Sequence, residues 1–383
     1  MYRSSKVARL LLTTAVAVCS AAGGDIVDQA VVGQNAVPFE GKRISVFWTS
    51  AGQWATVTRE FCDGRGRSRV EYLNPNNLRG HVMVFDGRFH WHRIPQRNVV
   101  IRSDVGSPCW GARSRLRLLR RNYDILNSRS PEFIGGIPCL SVELQPKSRK
   151  KPVQKMWIDP VTGFVLKVEK YRPDGSLVSV SHFLSIALGG TPAESLFSVR
   201  PRLHERLLRP ADNAAMRTVD EIRGECGERV LVPARLSGDF VLENACSITG
   251  SNVSSQLSLH YTDGLSNLSL VQSVTEPDSF SIFPFAIRQS SVTGPDMWGP
   301  QAPVPTIRWS LGNRHFALLG DVPSELLEEI ARGLGGSPGS DQMIRGDSTN
   351  LSRIALLLIF ALLLLSAVFL LIAYARERRL KVQ

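Results

Sequence analysis

The chain has 383 residues, with 46 Lys and Arg against 34 Asp and Glu for a formal net charge of +12, and is 43% hydrophobic and 21% charged. These values fit a globular protein of two or three domains at roughly 100–200 residues each and exclude a disordered chain. With 31 Gly and 22 Pro and no repeat at solenoid or propeller periods, collagen, low-complexity tracts and repeat arrays are excluded as well.

The N-terminus places Arg3, Lys6 and Arg9 before an apolar run over 10–18, followed by Ser20-Ala21-Ala22-Gly23. A charged region, a short apolar region and a small-residue site predict a secretory signal over 1–22, cleaved after Ala22. The run is too short for a hydrocarbon core of about 30 Å. Val18 is bulky for the position before a lipidated cysteine, so Cys19 is not expected to carry a lipid.

Ile26, Val27, Ala30 and Val31 have helical spacing, which predicts a helix over 25–32. From 42 to 186 the period becomes two: Ile44, Val46 and Trp48 alternate with Arg43, Ser45 and Phe47. Strands are predicted over 53–62, 68–73, 80–85, 88–93, 122–127, 137–145, 154–158, 165–171 and 177–186. Asp63-Gly64-Arg65-Gly66, Asp86-Gly87, Asp159-Pro160-Val161-Thr162-Gly163 and Pro173-Asp174-Gly175 supply turns. Closely spaced strands with short turns describe an antiparallel meander, one face of which must be covered by curling or by helices. The basic segment 113–121 is the second helix candidate.

A charged, Pro-containing stretch then separates this part from strands over 256–261, 268–273, 306–311 and 314–319, with a turn at Asp263-Gly264. A helix over 323–332 follows, its face made by Leu326, Leu327, Ile330 and Leu334. The Gly-, Ser- and Pro-containing segment 335–353 reads as a flexible tether. Residues 354–374 carry no charge over 21 positions, the length of a spanning helix. Arg376, Arg378, Arg379 and Lys381 after it orient the tail, 375–383, to the cytoplasm. The expected organisation is a signal peptide (1–22), a first domain (23–200), a linker (201–218), a second domain (219–334), a tether, a membrane helix and a tail.

Without Cys19, five cysteines remain: Cys62, Cys109, Cys139, Cys226 and Cys246. An exported chain permits disulfides, and an odd number leaves one thiol free or paired between chains. Cys226–Cys246 is the favoured bridge because both lie in the second domain. Cys62–Cys109 comes next, with Cys139 able to replace either partner. No pair has CxxC spacing, so neither a thioredoxin-like redox site nor a zinc ribbon is indicated.

The run Arg113, Arg115, Arg117, Arg120, Arg121 reads as a solvated helix face, or as a surface for anionic headgroups or an acidic partner. Export makes nucleic acid an unsuitable partner. Lys147, Arg149, Lys150 and Lys151 read as a hairpin loop. His90 and His92 share a strand face, but no third metal ligand lies nearby. Asn252-Val253-Ser254 and Asn267-Leu268-Ser269 match the glycosylation triplet. There is no nucleophile elbow, Walker loop or zinc-protease motif, so neither an enzyme nor a cofactor is expected. Trp48, Trp54, Phe89, Trp91 and Trp157 are expected either to fill a core or to line an apolar cavity.

Several stretches resemble the MucB/RseB family of sigma-factor regulators, whose N-terminal domain is similar to the LolA/LolB lipoprotein carriers. They are Pro38-Phe39-Glu40-Gly41-Lys42, Leu118-Leu119-Arg120-Arg121-Asn122-Tyr123, Gly136-Ile137-Pro138-Cys139 and Lys155-Met156-Trp157-Ile158-Asp159-Pro160-Val161-Thr162-Gly163. In the second part, Leu259-His260-Tyr261-Thr262-Asp263-Gly264-Leu265-Ser266-Asn267-Leu268 and Leu319-Gly320-Asp321-Val322-Pro323 look like the RseB C-terminal domain. The resemblance covers about 25–334. It implies a mainly β (α+β) protein: a half-open antiparallel barrel with helices on its concave side, and a smaller α+β domain. It also implies binding of lipid or lipoprotein acyl chains and control of an extracytoplasmic-function sigma factor through a membrane anti-sigma factor. Family members are usually soluble and periplasmic, whereas this chain is expected to be a single-pass membrane protein with its ectodomain on the periplasmic side. The alternative is a lipid or lipoprotein carrier or acceptor of the LolA/LolB type.

Overall fold

The computed structural model describes residues 26–33, 36–49, 52–104, 112–128, 130–148, 150–209, 216–217, 230–250, 253–273 and 305–336. All of them lie in one compact unit, residues 1–342. The expected signal peptide (1–22) and spanning segment (354–374) lie outside the described residues. No described helix is long and apolar enough to cross a membrane.

Helix α1 (Ile26–Gly33) precedes strands β1 (Pro38–Thr49), β2 (Gly52–Asp63), β3 (Ser68–Asn74), β4 (Val82–Phe85), β5 (Phe89–Ile94) and β6 (Val99–Asp104). Helix α2 (Ala112–Asn122) leads into β7 (Tyr123–Asn127), β8 (Glu132–Ile134), β9 (Ile137–Pro146), β10 (Val153–Ile158), β11 (Val165–Tyr171), β12 (Leu177–Leu188) and β13 (Arg206–Leu208). These strands form a single half-barrel sheet in the order β13-β6-β5-β4-β3-β2-β1-β12-β11-β10-β9-β7, with β8 also on β9. Apart from the parallel β13–β6 pair, neighbours are antiparallel, as the short turns require. At Asp86-Gly87 the turn is closed by its own aspartate: Arg88 and Phe89 donate backbone N–H to Oδ1, and Trp91 Nε1 donates to Oδ2.

The smaller sheet comprises β14 (Met216–Arg217), β15 (Arg235–Leu236), β16 (Phe240–Gly250), β17 (Val253–Thr262), β18 (Asn267–Ser273), β19 (Thr306–Leu311) and β20 (Arg314–Gly320). Its order is β14-β16-β17-β18-β20-β19. Helix α3 (Ser324–Gly333) buries Leu326, Leu327 and Ile330 on this sheet, against Phe240, Leu259, Leu270, Trp309, Phe316 and Leu318. Glu325 in its first turn and Arg332 in its last complement the helix dipole.

Register decides which residues of the large sheet share a face. Directly opposed residues join Val142, Met156, Val168, Ser181, Ser45 and Thr56 into one row across six strands. A parallel row runs Leu144, Gln154, Lys170, Ser179, Phe47, Trp54. Helices α1 and α2 cover the β9–β11 end of these rows, where Val27, Ala30 and Leu119 pack on Val142, Leu144, Met156, Ile158, Val165 and Val168. Beyond β11 the same face carries polar Ser181, Ser45 and Thr56, and then a second apolar cluster of Val70, Tyr72, Leu78 and Met83 with Trp54 packed against it.

Candidate functional site

The helix-covered face is closed by a hairpin turn from the smaller sheet. In the β17–β18 turn, Leu265 and Ser266 donate backbone N–H to Asp263 Oδ1 at 3.0 and 2.8 Å. Gly264 donates to Thr262 Oγ1 at 3.1 Å. These bonds present Leu265 outward, and it is buried in the core of the other sheet, among Val27, Leu119, Tyr123, Met156 and Val168. Gly264 has φ +99°, and a Cβ there would lie 2.4 Å from the backbone N of Leu119. Only glycine fits both the backbone and the space.

Charges surround this contact. Asp263 Oδ2 accepts hydrogen bonds from Tyr123 Oη at 2.8 Å and Lys151 Nζ at 2.7 Å. Lys151 Nζ also stands 5.6 Å from the Tyr123 ring and 5.0 Å from the Phe240 ring, within cation–π range. Asn122 Nδ2 donates to the Asp263 carbonyl at 2.8 Å. Burial, then the Asp263 carboxylate, pushes the Tyr123 phenol well above its ordinary range. Arg115 pairs with Glu243 at 2.7 Å, both buried. Lys170 pairs with Asp321 at 2.7 Å, and Asp321 Oδ1 accepts the Asn267 N–H. Among the described residues, Lys150–Glu329 and Arg121–Asp239 complete the set. In all five pairs the cation belongs to the large-sheet side and the carboxylate to the smaller one.

Further along the face, Arg43 and Glu60 pair at 3.1 Å in a largely buried position, and Thr58 Oγ1 donates to Glu60. Ser45 and Ser181 share a hydrogen bond at 2.8 Å. Burial and the nearby Glu60 raise the Tyr72 phenol. At the far end His81 Nδ1 and His92 Nε2 lie 3.0 Å apart. Burial, then His81, lowers His92 to about 3. Trp54 Nε1, Gln154 Nε2 and His92 Nδ1 are buried without a hydrogen-bond partner among the described residues. All three stand on the helix-covered face, so an acceptor-bearing guest could use them.

The structure divides between two faces the aromatic residues that were expected either to fill a core or to line an apolar cavity. Trp54 lies on the helix-covered face. Trp48 follows Phe47 and faces the other way; Phe89 and Trp91 flank His90 on the face opposite His90 and His92; Trp157 alternates with Met156. Trp91 instead packs with Phe61, Val84 and Phe197. Buried Trp157 carries Lys155 and Lys167 on its ring at 4.7 and 4.1 Å. Register is the reason: Trp54 lies directly opposite Phe47 and shares its face, whereas Trp48 opposes Gln53 and points the other way.

The basic run is corrected at one position. Arg113, Arg117, Arg120 and Arg121 are exposed, but Arg115 is buried at 3% exposure because it points at Glu243. Arg120 pairs with Asp28 on α1 at 2.5 Å. Among the described residues, Cys62 and Cys139 are buried free thiols. Cys226 and the Cys246 side chain lie outside the described residues, as does Cys109. Lys151, Tyr123, Leu265 and Asp263 carry the contact between the sheets, and sequence reasoning assigned them no site role. The one local signal was the Asp263-Gly264 turn.

No protein-family model and no curated protein matches the chain. Among solved structures, a chain of the Pseudomonas aeruginosa MucA/MucB complex is similar at 18% identity, covering 80% of this chain and 96% of that one with a TM-score of 0.51. MucB solved alone gives 18% identity, 82% and 97% coverage and a TM-score of 0.49. A LolA superfamily protein from Nitrosomonas europaea gives 16% identity, 45% and 96% coverage and a TM-score of 0.24. The first likeness establishes a MucB-like fold, the one that the sequence resemblance implied.

Proposed function

We propose that this protein is a membrane-tethered extracytoplasmic sensor that binds acyl chains of lipids or lipoproteins and regulates a sigma factor through a membrane anti-sigma partner. The observation that carries this reading is the MucB-like fold over four-fifths of the chain, in a neighbour solved together with MucA. The apolar end of the helix-covered face, around Val27, Leu119, Met156 and Val168, has the chemistry for an acyl chain. The exposed guanidinium groups of Arg113, Arg117, Arg120 and Arg121 suit anionic headgroups or an acidic partner segment. A LolA-type carrier fits less well, because a shuttle has no use for the uncharged run at 354–374.

In this reading 23–200 and 219–334 form a two-domain ectodomain, 335–353 the tether and 354–374 the anchor. In this reading the message passes sideways to another membrane protein, through the ectodomain.

Two measurements test it. Reconstituted with its membrane partner, the full chain should slow proteolysis of the partner's extracytoplasmic segment; an unchanged cleavage rate overturns the proposal. Replacing 354–383 with an unrelated anchor should leave sigma-dependent transcription regulated. Complete loss of regulation, with export and folding intact, would place the signal in the helix instead.

A further inference from the structure

We infer that the turn at 262–267 is a displaceable plug: Leu265 occupies the apolar space under α1 and α2 that an acyl chain would take, so ligand binding and docking of the smaller sheet compete. This rests on the acyl-binding reading above and adds the regulation of that site.

The geometry carries the argument at three points. First, Leu265 is 2% exposed and sits in the cluster formed by both helices and strands β9–β11, not in the core of its own sheet. The core of the smaller sheet is a separate cluster around Phe240 and Leu270, so Leu265 is the residue of that sheet which shares the apolar space beneath the helices. Second, the contact is held by ion pairs that regain water when the sheets part. Taking Lys151–Asp263 and Arg115–Glu243 out of water costs nearly as much as their attraction returns, so most of the bias toward docking comes from one leucine side chain and a few hydrogen bonds. A long alkyl chain buries more apolar surface than an isobutyl group and wins the space. Third, the turn is internally complete: Asp263 Oδ1 and Thr262 Oγ1 satisfy its N–H groups. It can therefore leave the cleft without losing its shape.

Displacement has a defined consequence. All five ion pairs place the cation on the large-sheet side, so undocking bares a basic surface there and an acidic one opposite. A ligand is thereby converted into a change of surface charge next to α2.

The test uses the full-length chain in lipid nanodiscs, with cis-parinaric acid, a fluorescent fatty acid, as the probe and empty nanodiscs as the blank. Adding the probe to the wild-type chain should speed hydrogen exchange at the Leu265 and Ser266 amides. Leu265→Ser should bind the probe about tenfold more tightly, because a competitor that leaves a tenth of the sites open weakens apparent affinity tenfold. Lys151→Met, which loosens the latch without altering the apolar lining, should shift affinity in the same direction. Probe binding with unchanged exchange and equal affinities overturns the plug and leaves the acyl site standing. No binding by any form overturns both. The exchange measurement needs no variant, so misfolding of either substitution does not shelter the inference.

Discussion

Lys151 Nζ lies 2.7 Å from the Asp263 carboxylate, with the two side chains 1% and 0% exposed. The lysine comes from the loop before β10 and the aspartate from the β17–β18 turn, so this pair is one of five ion pairs that cross between the two sheets among the described residues. Removing either partner leaves a charge stranded in the contact. Asp263→Ala and Lys151→Met are each expected to cost about 3–5 kcal/mol. Asp263→Ala should be the worse of the two, since two backbone N–H groups also lose their acceptor. Urea unfolding of the two variants checks the order; Lys151→Met costing more would contradict it.

Gly264→Ala should separate the sheets without touching a charge. The added methyl would meet the Leu119 backbone at 2.4 Å and must adopt φ +99°. The strain alone costs about 1–3 kcal/mol, and backbone cannot yield as a flexible side chain would. Faster limited proteolysis at 262–267, with the secondary structure retained by circular dichroism, is the expected result.

The arginines of α2 divide into two kinds. Arg117→Met, on the exposed side, should stay within about 0.5 kcal/mol of wild type. Arg115→Met strands Glu243 and should cost about 3–5 kcal/mol, most of which the double variant with Glu243→Leu regains. A double-mutant cycle in urea measures the coupling.

Acid should loosen the β3–β5 end of the large sheet. His92 is lowered to about 3, and burial also lowers His81, aided by Arg97. An unfolded histidine titrates near 6.5. Between that value and about 3 the unfolded chain therefore binds protons that the folded one refuses. The contribution is fully present above 6.5 and is lost as pH falls through the window, by about 1.4 kcal/mol per pH unit for one such group. His92→Gln should flatten this slope in urea midpoints measured from pH 7 to 5; an unchanged slope would assign it elsewhere.

The thiols should sort by burial. Burial raises Cys62, and burial together with Asp159 pushes Cys139 up to about 12, so both stay protonated and unreactive at neutral pH. Maleimide should label them only after unfolding. Non-reducing peptide mapping should recover Cys226 with Cys246, whose loop of about 20 residues would stabilise by roughly 3 kcal/mol.

Local physics made much of this molecule legible from sequence. Alternation at Ile44, Val46 and Trp48, the Asp86-Gly87 turn, and the helical spacing of Leu326, Leu327 and Ile330 each depend on a few neighbouring residues, and strands and helices stand where these patterns put them. The uncharged run at 354–374 is likewise a matter of composition. Other features needed tertiary structure. Alternation says which residues of one strand share a face, but not which face the helices cover, so Trp54 and Trp48 could be sorted only after register joined Phe47 to Ser179 and Trp54. Strand β16 carries the polar run Glu243-Asn244, which breaks the alternation that marks a strand, and the burial of Glu243 depends on Arg115, 128 positions earlier. In the same way Leu265 sits in a turn whose sequence predicts exposure. It is buried because the chain returns a second sheet onto the first, and a contact between segments that distant leaves no period, motif or spacing to read in either of them.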